Sequence, residues 1–219
     1  MKNLLTEVVF ILDRSGSMGG LEQDTIKGYN SLIRKQKDEE GRALLSTVLF
    51  DHVSEVLHDR VDLKEAPLLT SKDYFVRGST ALLDALGSSI RHIGNIHKHC
   101  KKEDRPDKTL FIINTDGYEN SSVLYSFDQI RKMIERQKSR YGWEFLFLGA
   151  NIDAIGTARL FGIDADRAVD YHCDERGVEL NYSVLCEAVS SFRLKSEIAP
   201  EWKARIEEDY SGRKPGSQR

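Results

Sequence analysis

The length, composition and charge of the chain already restrict its class. Its 219 residues are 40% hydrophobic and 31% charged and include only 4 prolines, a composition that is typical of a globular domain and excludes collagen-like and disordered chains. The formal net charge is −3, and because lysines and arginines are interleaved with acidic residues, we expect no nucleic-acid partner.

The cysteines and the N-terminal segment indicate a compartment. Cys100, Cys173 and Cys186 are far apart and odd in number, which fits neither a disulfide framework nor a Cys-x-x-Cys metal site. The apolar run at residues 8–12 follows Glu7 and has no small-residue cleavage site after it, unlike a secretion signal. No window reaches the roughly 18 uncharged apolar residues that a membrane span requires. We therefore expect a cytoplasmic protein that does not bind membranes.

Strand patterns and helix patterns alternate along most of the chain. Strands are predicted where β-branched and aromatic residues run together between polar or glycine-containing segments, and helices where apolar residues recur three or four positions apart. In chain order, the predicted elements are a strand at 4–13, a helix at 21–40, strands at 44–50 and 53–61, a helix at 81–96, a strand at 110–113, a helix at 126–141, a strand at 143–148, a helix at 153–161, a strand at 168–171 and a helix at 180–192.

This order predicts an α/β fold. Strands that alternate with helices form a doubly wound parallel sheet with helices on both faces. One pair of strands is joined by a tight turn at Asp51 and His52, which adds an antiparallel edge strand. We therefore predict a Rossmann-like, mostly parallel six-stranded sheet for residues 1–194.

Residues 195–219 are predicted to form a C-terminal extension. Trp202 and Ile206 are four positions apart, so a short amphipathic helix that docks on the domain is one possibility. Whether this segment packs on the domain or extends to a neighbour stays open. The polar stretch from residue 211 onward is expected to be disordered.

Oxygen-bearing side chains follow two of the predicted strands. Asp13, Ser15 and Ser17 come directly after the first strand, Asp116 follows a later buried strand, and Thr80 precedes a helix. Ligands of open α/β sheets bind beyond the carboxyl ends of the strands where the winding reverses, so these side chains meet there if the two strands are neighbours. Hard oxygen donors without His or Cys favour Mg²⁺, with Mn²⁺ or Ca²⁺ as alternatives.

Three short motifs resemble a site of a known family. They are Asp-x-Ser-Gly-Ser-Met at 13–18, Gly-Ser-Thr-Ala at 78–81 and Thr-Asp-Gly at 115–117. In this order they look like the metal-ion-dependent adhesion site (MIDAS) of the von Willebrand factor A (VWA) family. The resemblance covers roughly residues 4–193, and the sequence is similar to small bacterial cytoplasmic members of that family.

The resemblance implies a metal-dependent protein-binding module and not an enzyme. It assigns Ser15, Ser17 and Thr80 as direct ligands of the cation, and Asp13 and Asp116 as direct or water-mediated ligands. A cation held mainly by hydroxyl groups is incompletely neutralised and favours a further anionic ligand. We therefore expect a protein partner that presents an Asp or Glu side chain to the cation.

Two further expectations concern the partner and its control. Arg14, Met18, Tyr118 and Glu119 neighbour the site in sequence and are expected to set the specificity for the partner. By analogy with family members, a shift of the helix at 180–192 is expected to couple to opening and closing of the site.

Other interpretations remain open at this stage. A metal-assisted hydrolase or phosphoryl-transfer enzyme would use Glu119 or Asp51 as a base, although no Walker lysine motif and no Gly-x-Ser-x-Gly elbow is present. Helix caps and turns use the same side chains as the predicted site, so a purely structural role is a second alternative. The His residues at 92, 97 and 99 beside Cys100 are a weaker candidate for a transition-metal site.

Overall fold

Six strands and six helices, with short 3-10 turns between them, make up the regular structure of the computed structural model, which describes residues 4–195 and 197–213. The strands are β1 (Leu5–Asp13), β2 (Arg42–Phe50), β3 (Ser54–Asp62), β4 (Lys108–Thr115), β5 (Glu144–Ala150) and β6 (Ala168–Tyr171). The helices are α1 (Glu22–Asp38), α2 (Leu82–His99), α3 (Phe127–Tyr141), α4 (Ala154–Leu160), α5 (Glu175–Lys195) and α6 (Ala204–Gly212).

The strands form one sheet in the order β3-β2-β1-β4-β5-β6. All neighbouring pairs are parallel except β2 and β3, which form the hairpin predicted around Asp51 and His52. β3 lies at an edge of the sheet. The predicted doubly wound, mostly parallel six-stranded sheet with one antiparallel edge strand is confirmed.

Helices cover both faces of this sheet. On one face, α1, α5 and α6 pack on Val8, Phe10 and Leu12 of β1 and on the strands beside it. On the other face, α2, α3 and α4 pack on Val9 and Ile11 and their neighbours. Successive side chains of a strand point to opposite faces, so a central strand covered on both sides is a continuous apolar run, as the sequence of β1 shows.

Helices α1 and α5 approach each other closely at Gly28. A β-carbon placed on Gly28 would lie 2.3 Å from Cδ2 of the Tyr182 side chain in α5. Tyr182 is 2% exposed, so its ring occupies the space that any other residue at position 28 would need. The glycine therefore fixes how near the two helices lie.

The C-terminal segment folds back onto the sheet. The side chain of Ile206 in α6 is buried in the core on the α1 side. In the 3-10 turn that precedes α6, Trp202 Nε1 donates a hydrogen bond of 2.8 Å to the carbonyl oxygen of Asp166. A short helix that docks on the domain is therefore present, and the domain boundary after residue 194 stays a prediction.

The disorder predicted from residue 211 onward is wrong at its start. Helix α6 extends to Gly212, and Arg213 forms ion pairs with Asp174 and Asp209. These stabilising contacts are ionic, so the polar composition of the segment concealed them. The remainder of that tail lies outside the described residues.

Helix α5 begins earlier than its apolar pattern indicates. It starts at Glu175 instead of near residue 180, and it has 21 residues. The carboxylate of Asp174 accepts a hydrogen bond of 2.7 Å from the backbone N–H of Gly177, which stabilises a first turn that apolar spacing cannot reveal. Within the described part of the chain, neither α5 nor any other helix is long and apolar enough to cross a bilayer.

Candidate metal-binding site

The five side chains predicted to bind a cation lie at the carboxyl ends of β1 and β4. These strands are neighbours, and the chain leaves β1 through α1 toward β2 but leaves β4 through α3 toward β5. The winding therefore reverses between them, where open α/β sheets bind ligands. Asp13 ends β1, Asp116 follows β4, and Thr80 lies two residues before α2.

Hydrogen bonds connect four of the five residues. Ser17 Oγ donates to Asp116 Oδ1 over 2.5 Å, and the hydroxyl oxygens of Ser15 and Ser17 are 3.1 Å apart. Asp13 Oδ1 accepts a bond of 2.7 Å from the backbone N–H of Ser15. The loop after β1 thus faces the loop after β4 across a few ångströms.

The fifth residue, Thr80, reaches the same place from the loop before α2. A β-carbon placed on Gly117 would lie 3.0 Å from Thr80 Oγ1 and 3.2 Å from Ser17 Oγ. The two hydroxyl oxygens therefore converge over a glycine, at a spot that a larger residue would fill. The five candidate ligands are all oxygen donors, which fits a small hard cation such as Mg²⁺, although the thiol of Cys173 also lies 3.8 Å from Asp116 Oδ2.

The two carboxyl groups of the site are buried together. Asp13 is 1% exposed and Asp116 is 3% exposed. Burial raises the pKa of Asp13 above its ordinary value and raises the pKa of Asp116 to about 6, and the nearby charge of Asp13 adds to the shift at Asp116. Within the described residues neither acid has a cationic partner, which makes their charged forms unfavourable, and a divalent cation between them would offset that cost.

Several residues that hold the site in place were not predicted. Thr115 Oγ1 donates to Asp13 Oδ2 over 2.5 Å, and the hydroxyl of Tyr74 donates to the Asp13 carbonyl oxygen, also over 2.5 Å. Asn120 binds the backbone of Thr80 twice, at 2.9 and 3.0 Å. Thr115 lies inside the Thr-Asp-Gly motif and could have been proposed from it, whereas no local pattern points to Tyr74 or Asn120.

A buried arginine braces the loop after β1. Arg14 is 0% exposed, and its guanidinium group binds the carboxylates of Asp51 and Glu55 at 2.9 and 2.8 Å. The backbone of this loop is also joined to the loop before α2, because the Gly16 N–H donates to the Gly78 carbonyl oxygen over 3.1 Å. These bonds fix the two hydroxyl-bearing loops relative to each other.

The expectation that Arg14 and Met18 contact a partner is wrong. Both side chains are buried, with 0% and 1% exposure, because Arg14 pairs with carboxylates below the loop and Met18 points inward. Tyr118 is 58% exposed and remains available to a partner. Glu119 instead accepts hydrogen bonds from backbone N–H groups of its own loop and from the N–H of Leu83 in α2.

The alternative transition-metal site does not form. Among residues 4–195 and 197–213, no three His, Cys, Asp or Glu side chains converge as metal ligands would. His97 is instead paired with the buried Glu7, at 2.5 Å between Nε2 and Oε2. The candidate at the carboxyl edge has only two carboxylates and depends on hydroxyl oxygens for the rest of its ligands.

Comparison with known proteins gives the fold. No protein-family model and no curated protein matches the sequence. Among solved structures, the D319A mutant of the PilB minor pilin from Streptococcus sanguinis has a TM-score of 0.60 and 12% identity, over 89% of this chain and 64% of that chain. The von Willebrand factor type A protein from Catenulispora acidiphila has a TM-score of 0.54 and 14% identity, over 86% of this chain and 43% of that one.

A third similar structure is the manganese-loaded TRAP protein from Plasmodium vivax. Its TM-score is 0.53 and its identity 17%, over 81% of this chain and 72% of that chain. This chain therefore spans less than two thirds of the pilin and of the Catenulispora protein. Sequence identities this low establish the architecture alone. The three motifs at the carboxyl ends of the strands are in the order that the resemblance to the von Willebrand factor A family requires. The chain has the fold of von Willebrand factor A-type domains.

Proposed function

We propose that this protein is a metal-dependent protein-protein interaction module. It holds one divalent cation, Mg²⁺ in the first instance, and binds a partner through a carboxylate that completes the coordination of that cation. The observation that carries the proposal is the convergence of three hydroxyl groups and two buried carboxyl groups from three separate loops at the switch point of the sheet.

Each of the five residues has a role in this proposal. Ser15, Ser17 and Thr80 provide neutral oxygen ligands, and Asp13 and Asp116 bind the cation directly or through water. A bound cation would supply a positive charge that these ligands neutralise incompletely, so an Asp or Glu side chain of the partner is attracted to it. The protein's part is to hold the five oxygen-bearing groups in a fixed arrangement before the partner arrives.

The surroundings of the site suit contact with a protein. Ser17 is exposed, so the site opens to the surface and is not enclosed. Val123 and Leu124, in the loop that continues from Asp116, are 87% and 67% exposed. Exposed apolar side chains beside a charged site are typical of a surface that another protein covers.

The enzyme alternative has less support because the two bases suggested for it are already engaged. Asp51 is fully buried and bonded to Arg14 and Arg77. Glu119 accepts hydrogen bonds from the backbone N–H groups of Leu83, Ser121 and Ser122. A general base must be within reach of the proton that it removes, and both carboxylates are occupied by these bonds.

We also propose a cytoplasmic location. All three cysteines are free thiols, and Cys186 is buried in the core, which suits a reducing compartment. Fractionation of the native host, with a periplasmic or secreted marker beside it, tests this part. Recovery of the protein outside the cytoplasm would contradict it.

Calorimetric titration with MgCl₂ and MnCl₂ tests the metal site. We expect saturable binding by the wild type, and a loss of about tenfold or more in affinity for Asp116→Ala and Ser17→Ala. Asp128→Ala is the matched control, since Asp128 is an exposed carboxylate in α3. No binding by well-folded wild type, or equal losses in the control, would refute the metal site.

The partner is tested in a second step that does not depend on the first. Proteins retained by the immobilised wild type in Mg²⁺ and released by EDTA are identified, purified and titrated against wild type and Asp116→Ala. We expect binding that requires both the cation and one acidic residue of the purified partner. Partner binding that persists in EDTA would mean that another surface carries the function.

A further inference from the structure

A cavity lies at the amino-terminal ends of the strands, opposite the carboxyl-terminal ends that bear the candidate metal site. It has a volume of about 470 Å³ and is bounded by α2, α3 and the residues that precede β4 and β5, and small-molecule sites commonly measure about 300–1,000 Å³. Thr109 lines the cavity and lies seven residues before Asp116 on the same strand, so at about 3.3 Å per residue the two sites are roughly 23 Å apart. The cavity is therefore separate from the metal site.

One face of α2 and one face of α3 form the walls of the cavity. From α2, Arg91 and Lys98 are seven residues apart and face the cavity, because positions three, four and seven apart share one face of a helix. Arg136 faces it from α3, and Arg105 from the loop before β4. Four cationic side chains from three separate segments thus surround one space.

The charged side chains that line this cavity are mainly basic. Among the described residues, Arg91, Lys98, Arg105 and Arg136 have no ion-pair partner, although the chain as a whole has a net charge of −3. Among the described residues that line the cavity, Asp107 alone is acidic, and its Oδ2 accepts a hydrogen bond of 2.9 Å from the backbone N–H of Leu5. Exposed basic side chains that line one space produce a positive potential there, which attracts an anion.

The buried acidic residue Glu7, which lies near the cavity, is already paired with basic side chains. Glu7 is fully buried, and its two carboxylate oxygens bind Arg60 Nε at 2.7 Å and His97 Nε2 at 2.5 Å. His97 in turn lies with its ring edge-on to the ring of Trp143, at 5.4 Å between centroids. Glu7 therefore does not oppose an anion in the cavity.

The floor of the cavity carries the hydroxyl group of a threonine. Thr109 is 2% exposed and lies beside Glu7 in the sheet, on the same face as Phe111, which packs among the α2 and α3 side chains. Within the part of the chain that the structure describes, its hydroxyl makes no hydrogen bond. A hydroxyl group donates one hydrogen bond, so a group that enters the cavity can accept one from Thr109.

We propose that this cavity binds a small phosphate-bearing anion of nucleotide size. Phosphate groups carry multiple negative charges and pair with arginine and lysine. Their oxygens also accept a hydrogen bond from a threonine hydroxyl. Tyr141, which lines the cavity and is 54% exposed, provides a ring on which a planar group can stack. The same phosphate chemistry is shared by nucleoside triphosphates and inorganic polyphosphate.

Calorimetric titration with ATP and with tripolyphosphate, both in EDTA, tests the proposal without any contribution from the metal site. We expect saturable binding by the wild type. The double variant Arg91→Gln, Arg136→Gln should bind at least about tenfold more weakly, because it removes two of the four cationic groups that line the cavity. The control is Arg131→Gln, Lys132→Gln, which removes the same charge from exposed residues of α3 that have i,i+4 ion pairs.

Thr109→Val separates the cavity from general electrostatics, since it changes no charge and keeps the shape of the side chain. We expect it to weaken binding about threefold or more through the lost hydrogen bond, and it decides the question if the double variant fails to fold. Tighter binding of ATP assigns a nucleotide, and equal binding assigns the phosphates alone; both support the site. No saturable binding by the wild type, equal losses in the two double variants, or unchanged binding by Thr109→Val would overturn it.

Discussion

Replacing Gly28 with alanine would place a methyl group inside the side chain of Tyr182. The new carbon would lie 2.3, 2.8 and 3.1 Å from Cδ2, Cγ and Cβ of that residue, atoms near the backbone that cannot swing away. Alanine is favoured over glycine within a helix by about 1 kcal/mol, but overpacking a buried contact costs about 1–3 kcal/mol. Because Tyr182 is 2% exposed, the clash should offset or outweigh the helix propensity and lower the free energy of unfolding by up to about 2 kcal/mol.

Gly94→Ala is the matched control, since Gly94 lies within α2 and its added carbon would make only ordinary van der Waals contacts, 3.4 Å from Gln137 Nε2 and 4.0 Å from the Trp143 ring. We expect this variant to gain about 0.5–1 kcal/mol from helix propensity. Urea unfolding followed by circular dichroism measures both variants, with the dependence on denaturant unchanged. A Gly28→Ala protein as stable as Gly94→Ala would refute the argument that the α1–α5 contact has no spare room.

Two further predictions concern buried polar groups. Arg14→Met should lower the free energy of unfolding by about 3 kcal/mol, because it leaves the buried Asp51 with one cationic partner fewer. A loss below about 1 kcal/mol in thermal unfolding would contradict the role given to Arg14. Burial lowers the pKa of His58 below its ordinary value, so its contribution to stability is present above the unfolded pKa and is lost as pH falls through the folded one. As the pH falls below about 6.5, the wild type should therefore lose more stability than His58→Gln; parallel profiles in urea unfolding would show that His58 is not responsible.

The sheet and the site cluster could be predicted because their signals are local. The apolar run of β1 ends at Asp13, and its composition alone indicates a strand buried on both faces. The hydroxyl groups that follow it are close in sequence, so their convergence requires only that β1 and β4 are neighbours, which the alternation of strands and helices favours.

The features that were missed depend on contacts between distant segments. Arg14 has the residue type of a surface position, and its burial follows from Asp51, which is 37 residues away. Tyr74 lies in a stretch without regular structure and reaches the Asp13 carbonyl from 61 residues away. Neither partner can be read from periodicity, because each contact exists only after the sheet has brought the two segments together.

The close approach of α1 and α5 has a mechanical consequence. The ring of Tyr182 lies where α1 has no side chain, and the positions one turn away on α1 are occupied by Asp24 and Leu32. A slide of α5 by one turn, about 5.4 Å, would bring Tyr182 against one of these side chains. The contact therefore opposes a slide of α5 along α1. Because α1 follows directly from the loop that bears Ser17, the same contact fixes the position of α5 relative to the helix that begins at the candidate cation site.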